Sequence, residues 1–215
     1  MQPLRGIALK LCAVMLFIIM LSLVKAVSAD VPAGQSVFFR SFFAIPVIVV
    51  WLLLRGELSI GLRVRSRMGH FWRGVIGTIA MGLNFAAVGF LPLPEVTAIS
   101  FTAPLLTVLL AALWLGETGR MLRLCAVALG LIGVLVVIEP RLTVFSSGPF
   151  EPRAAFGVGL VLLGAAFIAL AHVHIRKLTL SEHPAAIVFY FSLTSTSVAL
   201  CLSLIHISEP TRLRR

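Results

Sequence analysis

The sequence predicts an all-α protein, a polytopic bundle of transmembrane helices, and three observations support this. Apolar residues make up 60% of the 215 residues and charged residues only 12%, about half of what a water-soluble domain carries. The apolar residues collect in blocks of about 17 to 22, the length that crosses a hydrocarbon core of about 30 Å. Loops rich in arginine and lysine alternate with loops that are poor in them, as in multi-pass membrane proteins.

Seven such blocks follow one another, and the short loops between them predict antiparallel neighbours. The blocks span residues 6–24, 38–54, 71–90, 96–115, 122–138, 154–171 and 184–201. The first block could instead be a signal peptide, because Arg5 precedes it and a cleavage site could follow Ala29. However, Lys10 interrupts its apolar stretch, and six more blocks exclude export of a soluble product.

Prolines and small residues give the later blocks individual features. Pro94 and Glu95 begin the fourth helix, where proline loses no used donor and a carboxylate suits the positive end of the helix dipole. Further along, Pro104 lacks an amide donor and clashes with the carbonyl of Ser100, so this helix is expected to kink or break. The fifth block carries small residues at close-packing positions, namely Ala126, Gly130 and Gly133.

The basic residues predict the orientation. The loop after the second block carries Arg55, Arg63, Arg65, Arg67 and Arg73. The loops after the fourth and sixth blocks carry two basic residues each, whereas the alternate loops are poorer or offset by acids. Because basic loops stay in the cytoplasm, we expect these loops and the N-terminus on the cytoplasmic side of the inner membrane.

Other classes of protein fit the sequence poorly. The net charge of +10 does not indicate nucleic-acid binding, because basic residues lie between the apolar blocks and aromatics inside them. The sequence contains no G-x-x-x-x-G-K-[ST], no H-E-x-x-H and no G-x-S-x-G. His172 and His174 point to different helix faces, and the cysteines lack metal-ligand spacing. We therefore expect no enzyme, no metal and no cofactor; a structural or assembly subunit and an intramembrane lipid-acting enzyme remain the alternatives.

An internal repeat favours transport. A shift of 151 positions lays residues 6–9 on 157–160 and residues 37–42 on 188–193. Five helices separate the copies, and an odd number means that the second copy enters the membrane from the opposite side. Inverted repeats underlie many secondary transporters, whose substrate site lies between the copies near the bilayer midplane.

Several short motifs occur in a recognisable order. Residues 38–41 are FFRS, 82–87 GLNFAA, 91–94 LPLP, 100–105 SFTAPL and 114–117 WLGE. In this order they resemble the EamA-type transporters of the drug/metabolite transporter superfamily, with 6–140 as one five-helix unit and 154–201 as the start of a second. The resemblance implies a ten-helix exporter or importer of small metabolites. Its expected partners are a small-molecule substrate and the lipid bilayer, with a homodimer as an open alternative and no nucleic acid.

The last residues depart from this pattern. Residues 202–212 are LSLIHISEPTR, which resembles the in-frame translation of a sequencing adaptor. The terminal arginines would also lie on the periplasmic side, against the charge rule. We therefore expect residues 202–215 to be non-native, and the native chain to continue for about three more helices by the symmetry of inverted repeats.

Five residues within the predicted spans are candidates to contact substrate, namely Arg40, Asn84, Ser100, Thr102 and Pro104. Arg40 lies about one turn inside the second helix, where it either reaches the headgroups or offers a cation to an anionic substrate at the cavity mouth. Asn84 needs amide partners across a helix interface or in a water-filled cavity. If the helix breaks before Pro104, the carbonyls around Ser100 could face substrate, whereas a kink would serve packing alone. Lys10 is expected to snorkel to the headgroups.

Overall fold

In a computed structural model of the chain, the structure describes residues 3–115 and 152–207, with isolated positions 125, 128, 129 and 132 between them. This part of the chain is helical and contains no strand, which confirms the predicted fold class. Six spans within it are long and apolar enough to cross a membrane. The predicted fifth helix, residues 122–138, lies almost wholly outside the described residues, as does the tail from residue 208.

The helices of the described part are numbered in chain order. They are α1 (Pro3–Val27), α2 (Ala33–Leu54), α3 (Leu58–Gly61), α4 (Arg67–Phe90), α5 (Leu93–Ser100), α6 (Thr102–Leu115), α7 (Pro152–Leu178) and α8 (Pro184–Ile207). Most extend past the apolar blocks that predict them, because near lipid the backbone groups of flanking residues are best satisfied within a helix. The sequence does not predict the single turn α3, and α8 continues through residues 202–207 of the expected non-native tail.

The fourth predicted helix is interrupted at Phe101, three residues before Pro104. The interruption puts Pro104 in the first turn of α6. Backbone N–H groups in a first turn have no acceptor within the helix, so the N–H that proline lacks costs no helical hydrogen bond there. The hydroxyls of Ser100 and Thr102 donate to backbone carbonyls of the preceding turn, at 2.6 and 2.7 Å. Phe101 itself keeps a nearly helical φ of −66° and ψ of −8°, so the interruption is one residue long.

The central helix is α4, which packs against both α7 and α8, while α2 packs against α8 and α6 against α7. Glycines permit these close approaches. A β-carbon on Gly74 would lie 2.6 Å from the Cβ of Thr194, and one on Gly157 would lie 2.8 Å from the Cγ of Leu91. Glycine lets the facing side chain pack directly against the helix backbone, and membrane helices gain packing energy from such close contacts without a hydrophobic driving force.

The N-terminal end of α4 is held by Glu182, in the loop between α7 and α8. Its carboxylate accepts hydrogen bonds from the backbone N–H of Arg65 at 3.0 Å and of Ser66 at 2.6 Å, and lies 3.4 Å from His70 Nε2. The residue is only 6% exposed. Burial alone would raise the pKa of this carboxyl, but the two N–H groups and His70 outweigh burial and hold the pKa below its ordinary value.

The C-terminal end of α4 is held by Lys25, near the end of α1. Its ammonium group donates to the carbonyls of Val88 at 2.6 Å and Leu91 at 3.0 Å. A carboxylate at the N-terminus and an ammonium at the C-terminus both complement the dipole of α4. A loop residue, Glu182, and a residue in the last turn of α1, Lys25, therefore stabilise the two ends of the central helix.

Candidate functional site

A cavity of about 600 Å³ lies where the long helices of the described part meet, and its volume suits a small metabolite. Every helix except α3 contributes to its wall. The polar part of the lining consists of Lys10, Arg40, Arg73, Asn84, Thr97, Ser100 and His172. Aromatic side chains from α1, α4 and α8, with Phe101, supply much of the apolar part.

Four of the five residues predicted to contact substrate line this cavity, namely Arg40, Asn84, Ser100 and Pro104. Thr102 does not line it, and its hydroxyl donates to the carbonyl of Ile99. Lys10, which was expected to reach the headgroups, also borders the cavity. The cavity therefore collects most of the residues that the sequence offers as candidates to contact substrate.

Arg40 reaches across the cavity to the central helix. It lies seven residues after the start of α2, about 10 Å along the helix axis. Its Nη1 contacts the sulfur of Met81 in α4. The guanidinium is thus directed at the helix bundle, the placement that the functional interpretation of this residue requires.

Asn84 lies both at a helix interface and beside the cavity, the two environments predicted for its amide. Its Nδ2 donates to the carbonyl of Ala80 at 2.9 Å, and its Oδ1 lies 3.5 Å from the hydroxyl of Ser100. The amide also packs on α7, since a β-carbon on Gly164 would lie 2.5 Å from Nδ2. Asn84 is therefore a helix-interface residue whose amide also borders the cavity.

Sequence reasoning missed Arg73. It was counted as a loop residue, but it occupies the second turn of α4, and its guanidinium carbon lies 4.2 Å from the ring centre of Phe191. Its Nε and Nη1 are buried and have no hydrogen-bond acceptor among the described residues. A helical pattern could have found it, because Arg73, Gly77, Ala80 and Asn84 recur at the spacing of one helix face.

The cavity is strongly cationic. Lys10, Arg40 and Arg73 are its cationic side chains, His172 lies beside them, and none of the described residues that line it is acidic. Charges interact more strongly here than in water because the surrounding helices and lipid have a low dielectric constant. His174 points elsewhere, with Nε2 2.9 Å from the carbonyl of Gly69. Within the described residues, no three His, Cys, Asp or Glu side chains gather to hold a metal ion.

Residues 4–139 match the EamA-like transporter family. Among individual proteins, the chain is 32% identical over 209 residues to the pseudopaline exporter CntI of Pseudomonas aeruginosa, covering 97% of this chain and 70% of the exporter. It is 27% identical over 207 residues to the riboflavin transporter of Vibrio cholerae, covering 94% of this chain and 66% of that protein.

A third relative is the S-adenosylmethionine uptake transporter of Rickettsia felis, 25% identical over 163 residues, which are 76% of this chain and 52% of that protein. The chain thus spans about half to two thirds of the length of several transporters that it matches. No solved structure matches it.

Proposed function

This chain belongs to the EamA-like transporter family, and from that premise we propose that it carries small metabolites across the inner membrane as a secondary transporter. The family consists of transporters and not enzymes, and the chain is a multi-pass membrane protein. The proposed substrate site is the cationic cavity between α1, α2, α4, α5, α6, α7 and α8. The observation that carries the proposal is that four of the residues singled out as polar or helix-breaking within the membrane border this one cavity.

The helix boundaries support two repeats related by a shift of 151 positions. The loop between α1 and α2 covers residues 28–32, and the loop between α7 and α8 covers residues 179–183, which is the same shift. The first loop adjoins Lys25 at the C-terminal end of α4, and the second contains Glu182 at its N-terminal end. Equivalent loops at opposite ends of one helix are what inverted repeats produce, and transporters of this kind bind substrate between the repeats.

The proposed orientation has the N-terminus in the cytoplasm. Glu182 joins the loop after α7 to the loop before α4, so two of the basic loops lie at the same end of the bundle. That grouping agrees with the rule that positive loops stay in the cytoplasm. The names of the relatives include both an exporter and uptake transporters, so the proposal covers both directions of transport.

A pair of matched serine variants tests the proposed site. Ser100 and Ser197 each donate to the carbonyl four residues earlier, at 2.6 and 3.0 Å, but only Ser100 lines the cavity. The purified chain would be screened in lipid nanodiscs for metabolites that raise its melting temperature in a saturable way. Removing one neutral hydrogen bond should weaken binding about 2- to 10-fold in Ser100→Ala, while Ser197→Ala should bind normally.

Two results would contradict the proposal. One is that no small metabolite gives saturable protection of the folded chain. The other is that Ser100→Ala and Ser197→Ala weaken binding equally, because the bound molecule would then lie outside this cavity.

A further inference from the structure

We propose that the cavity binds a polyanion, a small metabolite with at least two carboxylate groups, and that Arg40 and Arg73 hold those groups together. This inference rests on the proposed transport function and names the substrate class of the same site. It depends on how the two guanidinium groups lie along α4 and on the charge that surrounds them.

The two guanidinium groups meet α4 one helical turn apart. Arg40 contacts Met81, and a β-carbon on Gly77 would collide with the guanidinium of Arg73. Residues 77 and 81 are separated by about 6 Å along a helix. That separation is wider than the two oxygens of one carboxylate and matches two carboxylates carried by one small molecule.

Phe191 helps to fix the inner guanidinium. The ring centre lies 4.2 Å from the guanidinium carbon of Arg73, a cation–π contact. Nε and Nη1 of the same group are buried without an acceptor among the described residues. A planar fork of this kind suits a carboxylate, which can accept two parallel hydrogen bonds.

The surrounding charge favours a substrate with more than one negative group. Two arginines that face the same cavity repel each other, and Lys10 adds a third cation, while none of the lining residues in the described part of the chain is acidic. Cations beside a cavity of low dielectric constant are costly unless an anion pairs with them. A neutral or cationic substrate would leave this repulsion in place, and a monocarboxylate would neutralise only one group.

Snorkelling to the lipid headgroups explains the placement of Arg40 and Arg73 less well than substrate binding does. Arg73 lies six residues into α4, about 9 Å from its start, and Arg40 lies about 10 Å into α2. A snorkelling side chain would extend towards the nearer membrane surface. Both side chains instead contact α4 or α8 beside the cavity.

The test uses citrate as the probe, with the purified chain in nanodiscs of phosphatidylcholine, which supplies no anionic headgroup. At constant ionic strength, citrate should protect the folded chain at lower concentrations than succinate, and succinate at lower concentrations than acetate. Arg40→Gln and Arg73→Gln should each raise the half-saturating citrate concentration about 10- to 100-fold, the effect of losing hydrogen bonds to a charged group.

Arg55→Gln is the matched control. Arg55 also lies over an aromatic ring, 4.6 Å from the centre of Trp51, but it is exposed and outside the cavity. The Arg55→Gln variant should bind citrate as the unmodified chain does. Should Arg73→Gln fail to fold, Arg73→Lys replaces it, since lysine keeps the charge and loses only the fork; an intermediate loss of affinity is then expected.

Equal protection by citrate and acetate would overturn the inference, as would normal citrate binding by Arg40→Gln and Arg73→Lys. If a neutral or cationic metabolite binds instead, and Ser100→Ala weakens that binding, the polyanion inference fails while the proposed transport site stands. If no metabolite of any charge binds saturably, the proposed function fails with it.

Discussion

Replacing Glu182 with glutamine should lower the free energy of unfolding by about 2 to 3 kcal/mol. The carboxylate accepts hydrogen bonds from two backbone N–H groups, of Arg65 and Ser66, at the N-terminal end of α4. Glutamine keeps the size of the side chain and one acceptor oxygen. The substitution therefore removes the negative charge and leaves the packing of the loop unchanged.

The magnitude follows from the two hydrogen bonds and the helix dipole. A hydrogen bond to a charged group contributes about 1.5–3 kcal/mol and one between neutral groups about 0.5–1.5, so each bond loses about 1 kcal/mol. The charge at the start of α4 contributes up to about 1 kcal/mol more through the dipole. For a chain of this size, the melting temperature should then fall by about 4 to 12 °C.

Thermal unfolding in detergent, followed by the fluorescence of the three tryptophans, measures this loss. Glu57→Gln is the control, because Glu57 lies at the start of α3 and makes no capping hydrogen bond with its side chain. Its melting temperature should stay within about 2 °C of the unmodified chain. An unchanged melting temperature for the Glu182 variant would show that the carboxylate charge does not hold α4.

Three further predictions concern the pH dependence of stability, the packing of the Arg73 guanidinium against Gly77, and the orientation of the chain in the membrane. Because the pKa of Glu182 is lowered in the folded chain, its contribution is complete above the unfolded value of about 4.3 and is lost as the pH falls through the lower folded value. The melting-temperature gap to the glutamine variant should therefore close only in acid, and closure between pH 8 and 6 would contradict this. Gly77→Ala should displace the guanidinium of Arg73 and weaken citrate binding at least about 10-fold, the loss expected for hydrogen bonds to a charged group. Gly82→Ala is the control, because a β-carbon on Gly82 would face open space and should leave citrate binding unchanged. Equal effects of the two substitutions on citrate binding would refute this prediction. With the native cysteines replaced by serine, a cysteine at Asp30 should react with an impermeant thiol reagent outside intact cells and one at Arg63 should not, and the reverse would overturn the orientation.

The sequence predicts the membrane spans better than the helix ends. The bilayer sets the length of a span, so the apolar block 71–90 locates most of α4 without structural information. The helix nevertheless begins at Arg67, because Ser66 caps it and Glu182 binds the preceding amides. That carboxylate lies 116 positions from Ser66, and no local pattern reveals such a partner.

Prediction of the candidate site from sequence is limited in the same way. Asn84 and Ser100 can be chosen from sequence because polar groups deep in lipid are rare and need partners. Thr102 is also a polar residue next to Pro104, but it does not line the cavity. Arg73 lies where an arginine can either anchor to headgroups or turn inward, and its contact with Phe191, distant in the sequence, decides between them.

The stability of α4 and its contribution to the cavity should be separable by mutation. Glu182 and Lys25 act on the two ends of the helix, whereas Gly77, Met81 and Asn84 face the cavity from its middle. Glutamine at position 182 should therefore lower the melting temperature without changing the half-saturating citrate concentration, whereas Gly77→Ala should raise that concentration. Because the end contacts are worth only a few kcal/mol, such a helix can exchange between arrangements whose free energies differ by a similar amount. The proposed transport by alternating access would use that range, because in transporters built from inverted repeats one repeat moves against the other around the substrate site.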